Sequence, residues 1–183
     1  MLILGIDPGT AVTGYGLVRQ QGARLILVGC GGIRAPARRP APEKLHTIYE
    51  ALLELVRRYR PACAAVESLF FARNVRSALT LGQARGVALL AAVQGGLPVF
   101  EYTPREVKAA ITGYGAAEKE QVRGMVTRLL ALQDPPASLD ATDALALAIC
   151  HCHVASGGPG RRLMASRRGL RVGRAAWRAL KVP

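Results

Sequence analysis

Two short apolar runs in this chain each end on a single acidic residue. Residues 2–6 are followed at once by Asp7, and residues 64–66 by Glu67. Apolar runs of this length, bounded by turn residues, are typical of buried strands, and the Pro-Gly pair after Asp7 favours a tight turn. An acidic side chain at the end of a buried strand can point into a cleft, so we expect Asp7 and Glu67 to share one.

The apolar pattern of the whole chain predicts a five-stranded sheet with helices on its faces. The first three predicted strands follow one another closely as an antiparallel meander, whereas the later strands alternate with helices. This order is typical of an α/β fold with a mixed five-stranded sheet flanked by helices. The predicted strands after the first are 13–19, 24–33, 64–67 and 99–102, and the predicted helices are 43–59, 77–94, 118–132, 140–154 and a short one that Thr103 caps, with Pro104 at its first position.

The formal net charge of +13 on this 183-residue chain is concentrated at one end. Residues 156–183 contain eight Arg or Lys and no acid, while residues 1–155 contain 17 basic and 12 acidic residues. A strongly basic chain favours a polyanionic partner, most often nucleic acid, although 21 Arg against 4 Lys also fits the codon bias of a GC-rich genome. We predict one folded domain over 1–155 and a basic tail over 156–183 that is disordered or folds on a partner.

The start of the chain and the shortness of its apolar runs predict a cytoplasmic protein. The first residues lack the basic segment of a signal peptide, and no apolar run reaches the roughly 20 residues that a membrane span needs. The four cysteines are therefore expected to be reduced thiols. The run from Cys150 to His153 alternates Cys and His, but consecutive helical side chains point about 100° apart and cannot converge on one zinc ion. We expect packing and surface roles for this run.

A pair of aspartates opens the last predicted helix. Asp140 and Asp143 are three residues apart, so both side chains lie on one face of the helix. Acids at this position also complement the helix dipole, and Asp140 is a natural N-cap, a role compatible with ligand binding. Four carboxylates in one cleft repel one another unless a cation lies between them, and hard divalent cations prefer oxygen ligands. Asp7, Glu67, Asp140 and Asp143 are therefore the predicted metal-binding and catalytic residues.

The loop after the fourth predicted strand carries two adjacent aromatic residues. Phe70 and Phe71 are flanked by Arg73, Asn74 and Arg76. Aromatic side chains among cations can stack on unpaired bases, so the loop is interpreted as a wedge or stacking platform for DNA, with Phe70 preferred. The alternative is that both phenylalanines belong to the core.

Two further features leave alternatives open. Gly82 and Gly86 place small residues four apart on the helix 77–94, which predicts close packing either within the subunit or across a dimer. Lys108 and Lys119 are two of only four lysines in the chain. By themselves they are compatible with solvated surface positions.

Several short motifs follow one another in order over residues 1–154. They are Gly5-Ile6-Asp7-Pro8-Gly9-Thr10, Thr13-Gly14-Tyr15-Gly16, Val66-Glu67, Phe70 with Ala72-Arg73-Asn74, Ser77-Ala78-Leu79, Leu81-Gly82-Gln83-Ala84-Arg85-Gly86, Val99-Phe100-Glu101-Tyr102, Ala117-Glu118-Lys119 and Asp140-Ala141-Thr142-Asp143-Ala144-Leu145-Ala146. Together they resemble the RuvC family of bacterial Holliday-junction resolvases. The tail beyond Val154 matches no pattern of that family.

The resemblance implies a ribonuclease-H-like fold, a homodimer, and a requirement for magnesium or manganese. It implies metal binding by the four acids, proximity of Lys108 and Lys119 to the scissile phosphate, and contact of Phe70 with bases at the junction centre. It also implies RuvA and RuvB, the junction-binding and branch-migration proteins, as partners. Some members have His in place of Asp140, so this chain offers no His there as a proton carrier.

The residues and the resemblance lead to one functional hypothesis. The chain is predicted to be a metal-dependent endonuclease of recombination and repair that resolves four-way junctions by paired symmetric nicks, leaving 5′-phosphate and 3′-hydroxyl ends. Two Mg²⁺ per subunit, about 4 Å apart and bridged by Asp7, would clamp the attacking and leaving oxygens, and Mn²⁺ could substitute.

Three alternatives remain at this point. They are a junction-binding scaffold with an inactive site, another ribonuclease-H-like nuclease, and a phosphate-loop ATPase, whose first strand also ends in an Asp-x-Gly turn. An ATPase should carry a second Gly-rich motif after a later strand, and none follows 99–102. Asp7 is also compatible with a plain turn role.

Overall fold

The computed structural model of the protein describes residues 1–9, 11–68 and 75–157, apart from the side chain of Arg76. Within these ranges, no helix combines the length and the apolar composition that crossing a membrane requires. The strands are β1 (Leu2–Asp7), β2 (Val12–Gln21), β3 (Arg24–Arg34), β4 (Cys63–Glu67) and β5 (Val99–Tyr102), and the helices are α1 (Ala41–Tyr59), α2 (Val75–Gln94), α3 (Pro104–Thr112), α4 (Lys119–Leu129) and α5 (Leu139–Ala155).

The five strands form one mixed sheet in the order β3-β2-β1-β4-β5. β1 pairs antiparallel with β2, and β2 with β3, as the predicted meander requires. β4 and β5 extend the sheet in parallel from the other side of β1. The prediction of a mixed five-stranded sheet flanked by helices is confirmed, and it places the carboxyl ends of β1, β4 and β5 along the same edge.

The sheet separates two apolar cores. On one face, α1 and α2 cover a core that includes Leu4, Ile6 and Leu17. On the other face, α3, α4 and α5 cover a core that includes Ile3 and Val18. Neighbouring residues of β1 and β2 thus contribute to opposite cores, which is the alternation expected of a strand covered on both sides.

Several helix ends differ from those predicted. α1 begins at Ala41, before the predicted 43, because Pro42 fits the first turn of a helix, where no backbone N–H is needed. α5 begins at Leu139, and the hydroxyl of Ser138 accepts a hydrogen bond from the backbone N–H of Ala141 at 3.2 Å. Ser138 is therefore the N-cap, and the prediction that Asp140 fills that position is wrong. Asp140 lies instead in the first turn.

The Cys150–His153 run lies in α5 with most of its side chains in the core. Cys150, His151 and Cys152 are buried, and Nδ1 of His151 lies 2.7 Å from the hydroxyl oxygen of Tyr102. The Phe100 ring packs 4.4 Å from the imidazole, measured between centroids. Burial lowers the pKa of His151 to about 4, since the imidazolium would lose its hydration there.

This buried histidine gives a testable pH dependence of stability. The pKa of His151 lies below its ordinary value of 6.5. Below pH 6.5 the unfolded chain therefore binds a proton at His151 more readily than the folded chain does. The resulting destabilisation of the folded protein is absent above pH 6.5 and grows as the pH falls toward 4. It reaches about 3 kcal/mol of lost stability, at about 1.4 kcal/mol per pKa unit. Denaturant unfolding of wild type and His151→Gln at pH 7 and pH 4 should show the wild type losing this much more. Equal losses of stability in wild type and His151→Gln between pH 7 and pH 4 would contradict this prediction.

Candidate active site

Asp7 and Glu67 are brought together by the parallel pairing of β1 with β4. Ile6 lies opposite Val66, so the two acids follow on neighbouring strands at the same edge of the sheet. Side chains two residues apart on a strand point to the same face. Ile3 and Ala65, at even spacing from Asp7 and Glu67, lie in the core beneath α5. Both carboxylates therefore project toward the face that α5 covers.

The close contact between α5 and the sheet brings the two late aspartates to the same edge. Gly14 lies opposite Asp7 in the β1–β2 pairing, and a methyl group at Gly14 would overlap the main-chain carbonyl of Asp140. A methyl group at Gly5 would likewise overlap the carbonyl of Ala144. Glycine thus lets the helix backbone rest directly on the strands. Asp140, and Asp143 one turn later, consequently lie over the end of β1.

The turn after Asp7 is held by a buried threonine. The hydroxyl of Thr13 donates a hydrogen bond to the Gly9 carbonyl at 3.2 Å and accepts one from the Gly9 N–H at 3.4 Å. Thr13 has no exposed surface. Because a buried hydroxyl needs a partner, Thr13 stabilises the turn that begins at Asp7.

The carboxyl group of Asp7 is the most strongly perturbed of the four acids. Burial, followed by the negative charges of Glu67, Asp143 and Asp140 in that order, raises its pKa from 3.8 to about 7, although the charge of Lys119 lowers it. Burial and the three neighbouring negative charges disfavour the ionised form, whereas the charge of Lys119 favours it. The four acids therefore share one electrostatic environment, in which Asp7 carries a proton for much of the time near neutral pH.

The pKa values of Glu67 and Asp143 shift in the same direction. Burial and the charge of Asp143 raise the pKa of Glu67, and Lys119 lowers it. Burial raises the pKa of Asp143, which Lys119 lowers and Asp140 raises. Nζ of Lys119 lies 3.4 Å from Oδ2 of Asp143, and the charge of Lys108 lowers the same pKa from farther away. Both predicted lysines thus act on the acidic cleft, Lys119 by direct contact.

The chemistry of the four side chains suits a hard divalent cation. All four are carboxylates, the donors that Mg²⁺ and Mn²⁺ prefer, and a cation between them would relieve the repulsion that raises the pKa of Asp7. Across the described ranges, however, no three acidic, His or Cys side chains are already grouped as a metal site. Since Mg²⁺ needs oxygens at about 2.0–2.1 Å, binding would require side-chain rotation at one or more of these positions.

Five of the predicted DNA-contacting positions are not settled by the structure. Phe70, Phe71, Arg73 and Asn74, together with the side chain of Arg76, lie outside the described residues. Their role in binding bases stays a prediction. The basic tail from residue 158 onward is outside the description as well.

Sequence reasoning missed a residue that contacts this site from α2. Nε of Arg85 donates a hydrogen bond to the main-chain carbonyl of Glu67 at 3.1 Å, and its guanidinium pairs with the carboxylate of Glu101. The signal was present in the sequence, because Arg85 is the only charged residue between Ser77 and Gln94. A lone charge in an apolar helix needs a partner.

The comparison with known proteins identifies the family. The profile of the family described as crossover junction endodeoxyribonuclease RuvC matches residues 3–151. The chain belongs to the RuvC family. The RuvC of Pelotomaculum thermopropionicum is 56% identical over 153 residues, covering 84% of this chain and 93% of that protein. The RuvC of Rubrobacter xylanophilus is 55% identical over 150 residues, covering 82% and 84%.

Solved structures place the fold in the same family. A Thermus thermophilus RuvC structure is 38% identical, covers 85% of this chain and 96% of that one, and superposes with a TM-score of 0.78. The T. thermophilus RuvC in complex with a Holliday junction substrate gives a TM-score of 0.81 at the same identity, covering 85% and 94%. The fold is the ribonuclease-H-like fold of RuvC. The matched span contains the four acids and both lysines and ends before the basic tail.

Proposed function

We propose that this RuvC-family chain is a structure-specific endonuclease that resolves Holliday junctions by paired symmetric nicks in recombination and DNA repair. The observation that carries the proposal is the convergence of four carboxylates from β1, β4 and α5 at one sheet edge, where burial and the neighbouring negative charges raise the pKa of Asp7 to about 7. A relative of known structure, the T. thermophilus RuvC, was solved with this substrate.

The proposed cofactor is Mg²⁺, two ions per subunit, with Mn²⁺ able to substitute. Asp7, Glu67, Asp140 and Asp143 would hold the cations. When bound, such cations polarise a phosphodiester and activate water at neutral pH. Asp7 must give up its proton to become a ligand. Lys119 lowers the pKa of Asp7 and thereby favours that step.

The two lysines complete the proposed chemistry at the phosphate. We propose that Lys119, which lies beside Asp143, and Lys108, whose charge also acts on Asp143, hold a non-bridging phosphate oxygen and stabilise the charge that develops on it. The expected products carry 5′-phosphate and 3′-hydroxyl ends. The proposed base contacts of Phe70, Phe71, Arg73, Asn74 and Arg76 rest on the sequence alone.

The direct test is cleavage of a synthetic four-way junction labelled on each strand in turn. Symmetric nicks in two opposing strands that require Mg²⁺ or Mn²⁺ would support the proposal, and a linear duplex of the same sequence should stay intact. Tight junction binding with no nick under either cation would instead favour a junction-binding scaffold.

We further propose that α2 forms the contact of a homodimer. Val75, Leu79 and Leu90 are 75%, 66% and 54% exposed, although all are large and apolar. Gly82 and Gly86 lie between them on the same helix face, and no described atom lies within 4 Å of a methyl group built at either glycine. These glycines therefore do not pack within the described part of the subunit. An apolar helix face with a flat centre suits a second copy related by twofold symmetry.

The dimer is tested by placing a charge on that face. Leu79→Arg should convert the chain from dimer to monomer in light scattering, because burying an unpaired guanidinium at the interface is costly. Paired nicking of the junction should become slow, uncoupled nicking. Tyr114→Arg is the matched control, since Tyr114 is 65% exposed on the loop between α3 and α4. A dimeric Leu79→Arg would place the interface elsewhere.

The domain boundary and the tail are proposed from sequence and from the position of α5. We place the nuclease domain at 1–155 and the basic tail at 156–183. Ser156 contacts the side chain of Gln20, at the end of β2 away from the acids. The 17 residues of α5 span about 25 Å at 1.5 Å per residue. Ser156, the first residue of the proposed tail, therefore lies far from the cleft, and we propose that the eight cations of the tail bind phosphates of the junction arms.

Removing the tail should weaken binding in a salt-dependent way. A chain ending at Ala155 would lose cations that release counterions from DNA, so the slope of log Kd against log salt should become shallower. The cleavage rate at saturating enzyme should not change. Titrations of the junction at three salt concentrations give the slope. An unaltered slope would mean that the tail is solvated or that it serves a protein partner such as RuvA or RuvB in the cytoplasm.

A further inference from the structure

A single arginine connects helix α2 to the end of strand β4. Nε of Arg85 donates a hydrogen bond to the main-chain carbonyl of Glu67 at 3.1 Å, and the same guanidinium forms an ion pair with Glu101 of β5. Three elements thus meet at one side chain. The Arg85 side chain is 16% exposed, against 46% for Glu101, so the arginine is held largely out of water while its acidic partner faces the surface.

The contact is directional in a helix that otherwise packs through small side chains. The inner face of α2 buries Ala84, Ala88, Ala91 and Ala92. Alanines permit close approach but fix neither the rotation nor the axial position of a helix strongly, because they do not interdigitate. The planar guanidinium forms hydrogen bonds in fixed directions, so Arg85 fixes the position of α2 relative to the carbonyl of Glu67.

The other backbone contacts around Glu67 show what Arg85 adds at the end of β4. Pairing with β1 ends at Val66, whereas Glu67 still pairs with Tyr102 of β5, and the N–H of Ser68 donates to the carbonyl of Tyr102 at 2.8 Å. Glu67 lies between these contacts, at the last position of β4. Arg85 contacts its main chain and leaves its carboxylate to point toward α5.

We infer that Arg85 is a positioning residue for the proposed catalytic carboxylate of Glu67, acting through the main chain of β4 with Glu101 orienting its guanidinium. This inference rests on the proposed function for its consequence in cleavage. The position of Glu67 relative to Asp7 and Asp143 is then set by α2 as well as by the sheet. Because a shift of about 1 Å in a reacting group can cost about 100-fold in rate, the effect of losing Arg85 is expected in catalysis more than in junction binding.

Two substitutions separate the contacts of Arg85. Arg85→Met keeps the length of the side chain and removes both polar contacts. Arg85→Lys keeps the charge, so it can pair with Glu101 or reach the Glu67 carbonyl, but a single ammonium lacks the planar fork. Val154→Ala is the stability control, because Val154 is buried at the end of α5 away from the acids, and its truncation costs stability through packing alone.

The four proteins are compared in three measurements, with light scattering to verify that they share one oligomeric state. These are single-turnover junction cleavage at saturating enzyme, junction affinity without divalent cation, and melting temperature as a function of Mn²⁺ concentration. Arg85→Met should cleave about 10- to 100-fold more slowly, bind the junction within about twofold of wild type, and need at least about fivefold more Mn²⁺ for half of the thermal stabilisation. Arg85→Lys should give a cleavage rate and a half-stabilising Mn²⁺ concentration between those of wild type and Arg85→Met. Val154→Ala should melt earlier without the other changes.

The outcomes distinguish this inference from the proposed function. If wild type cleaves and Arg85→Met cleaves as fast as Val154→Ala, Arg85 is merely structural and the inference is overturned. If wild type does not cleave at all, the proposed function fails, and the Mn²⁺ titration decides the role of Arg85 by itself. An unchanged half-stabilising Mn²⁺ concentration in Arg85→Met would then overturn the inference, whereas a raised one would support it.

Discussion

Asp7→Asn is expected to abolish junction cleavage and to make the protein more stable. The rate should fall by at least about 1,000-fold, or about 4 kcal/mol of transition-state stabilisation, because asparagine replaces an anionic ligand at the centre of the proposed metal site. Junction binding should be retained. The stability gain follows from the pKa of about 7 that burial and three neighbouring acids impose on Asp7. Asparagine keeps the shape of the side chain and removes the charge.

The gain in stability should depend on pH with a definite sign. The pKa of Asp7 is 3.8 in its ordinary state and about 7 in the folded protein, so the folded chain holds this proton more tightly than the unfolded chain. The contribution of Asp7 to the stability of the wild type is therefore lost as the pH rises from about 4 to about 7. Three pKa units correspond to about 4 kcal/mol, and relaxation of the neighbouring carboxylates reduces this to about 2–4 kcal/mol. Asp7→Asn should lack this loss, so its advantage is largest at pH 8 and small at pH 4.

Denaturant unfolding at pH 4, 6 and 8, without divalent cation, measures this difference. Added Mg²⁺ should narrow the gap at pH 8 by stabilising the wild type alone. Asp134→Asn is the matched control, because Asp134 is an exposed acid outside the cleft, and it should change neither cleavage nor the pH profile. If Asp7→Asn lost its fold and junction binding together with cleavage, Asp7 would be a structural turn residue and the metal-site proposal would fail.

The placement of Asp7 and Glu67 was predictable because it depends on local rules. Both acids end short apolar runs, and a strand–helix–strand order makes those strands parallel neighbours, so their carboxyl ends meet at one edge. The two-residue period of a strand then sets the face on which each side chain lies. These relations involve residues close in sequence or strands adjacent in the sheet.

The contacts that complete the site join residues far apart in sequence. Lys119 reaches Asp143 from α4, and Arg85 reaches the main chain of Glu67 from α2. No periodicity in the chain encodes such pairs, because they depend on how helices dock. The N-cap of α5 was assigned wrongly for a related reason. Both Ser138 and Asp140 can cap a helix, and the packing of the helix on the sheet decides between them.

The docking of α5 itself gives the second large effect, through Gly14. A methyl group at this position would overlap the carbonyl oxygen of Asp140. The methyl carbon is fixed to Cα and the carbonyl belongs to the main chain of α5, so neither group can rotate away. Gly14→Ala must therefore move the first turn of α5 off the sheet. We expect a loss of about 2–3 kcal/mol in unfolding free energy and a cleavage rate about 100-fold lower, since Asp140 and Asp143 move with that turn.

A glycine-to-alanine substitution in α4 is the control for Gly14→Ala. Gly124 lies inside α4 with no described atom within 4 Å of an added methyl group, so Gly124→Ala should gain about 0.5–1 kcal/mol from helix propensity and cleave normally. Cleavage is measured at a temperature where both variants are fully folded by circular dichroism, so that the rate reports the position of the acids and not the folded fraction. A folded Gly14→Ala that cleaves at the wild-type rate would mean that Asp140 and Asp143 tolerate displacement. In that case they could not be the ligands of a metal site as geometrically demanding as that of Mg²⁺.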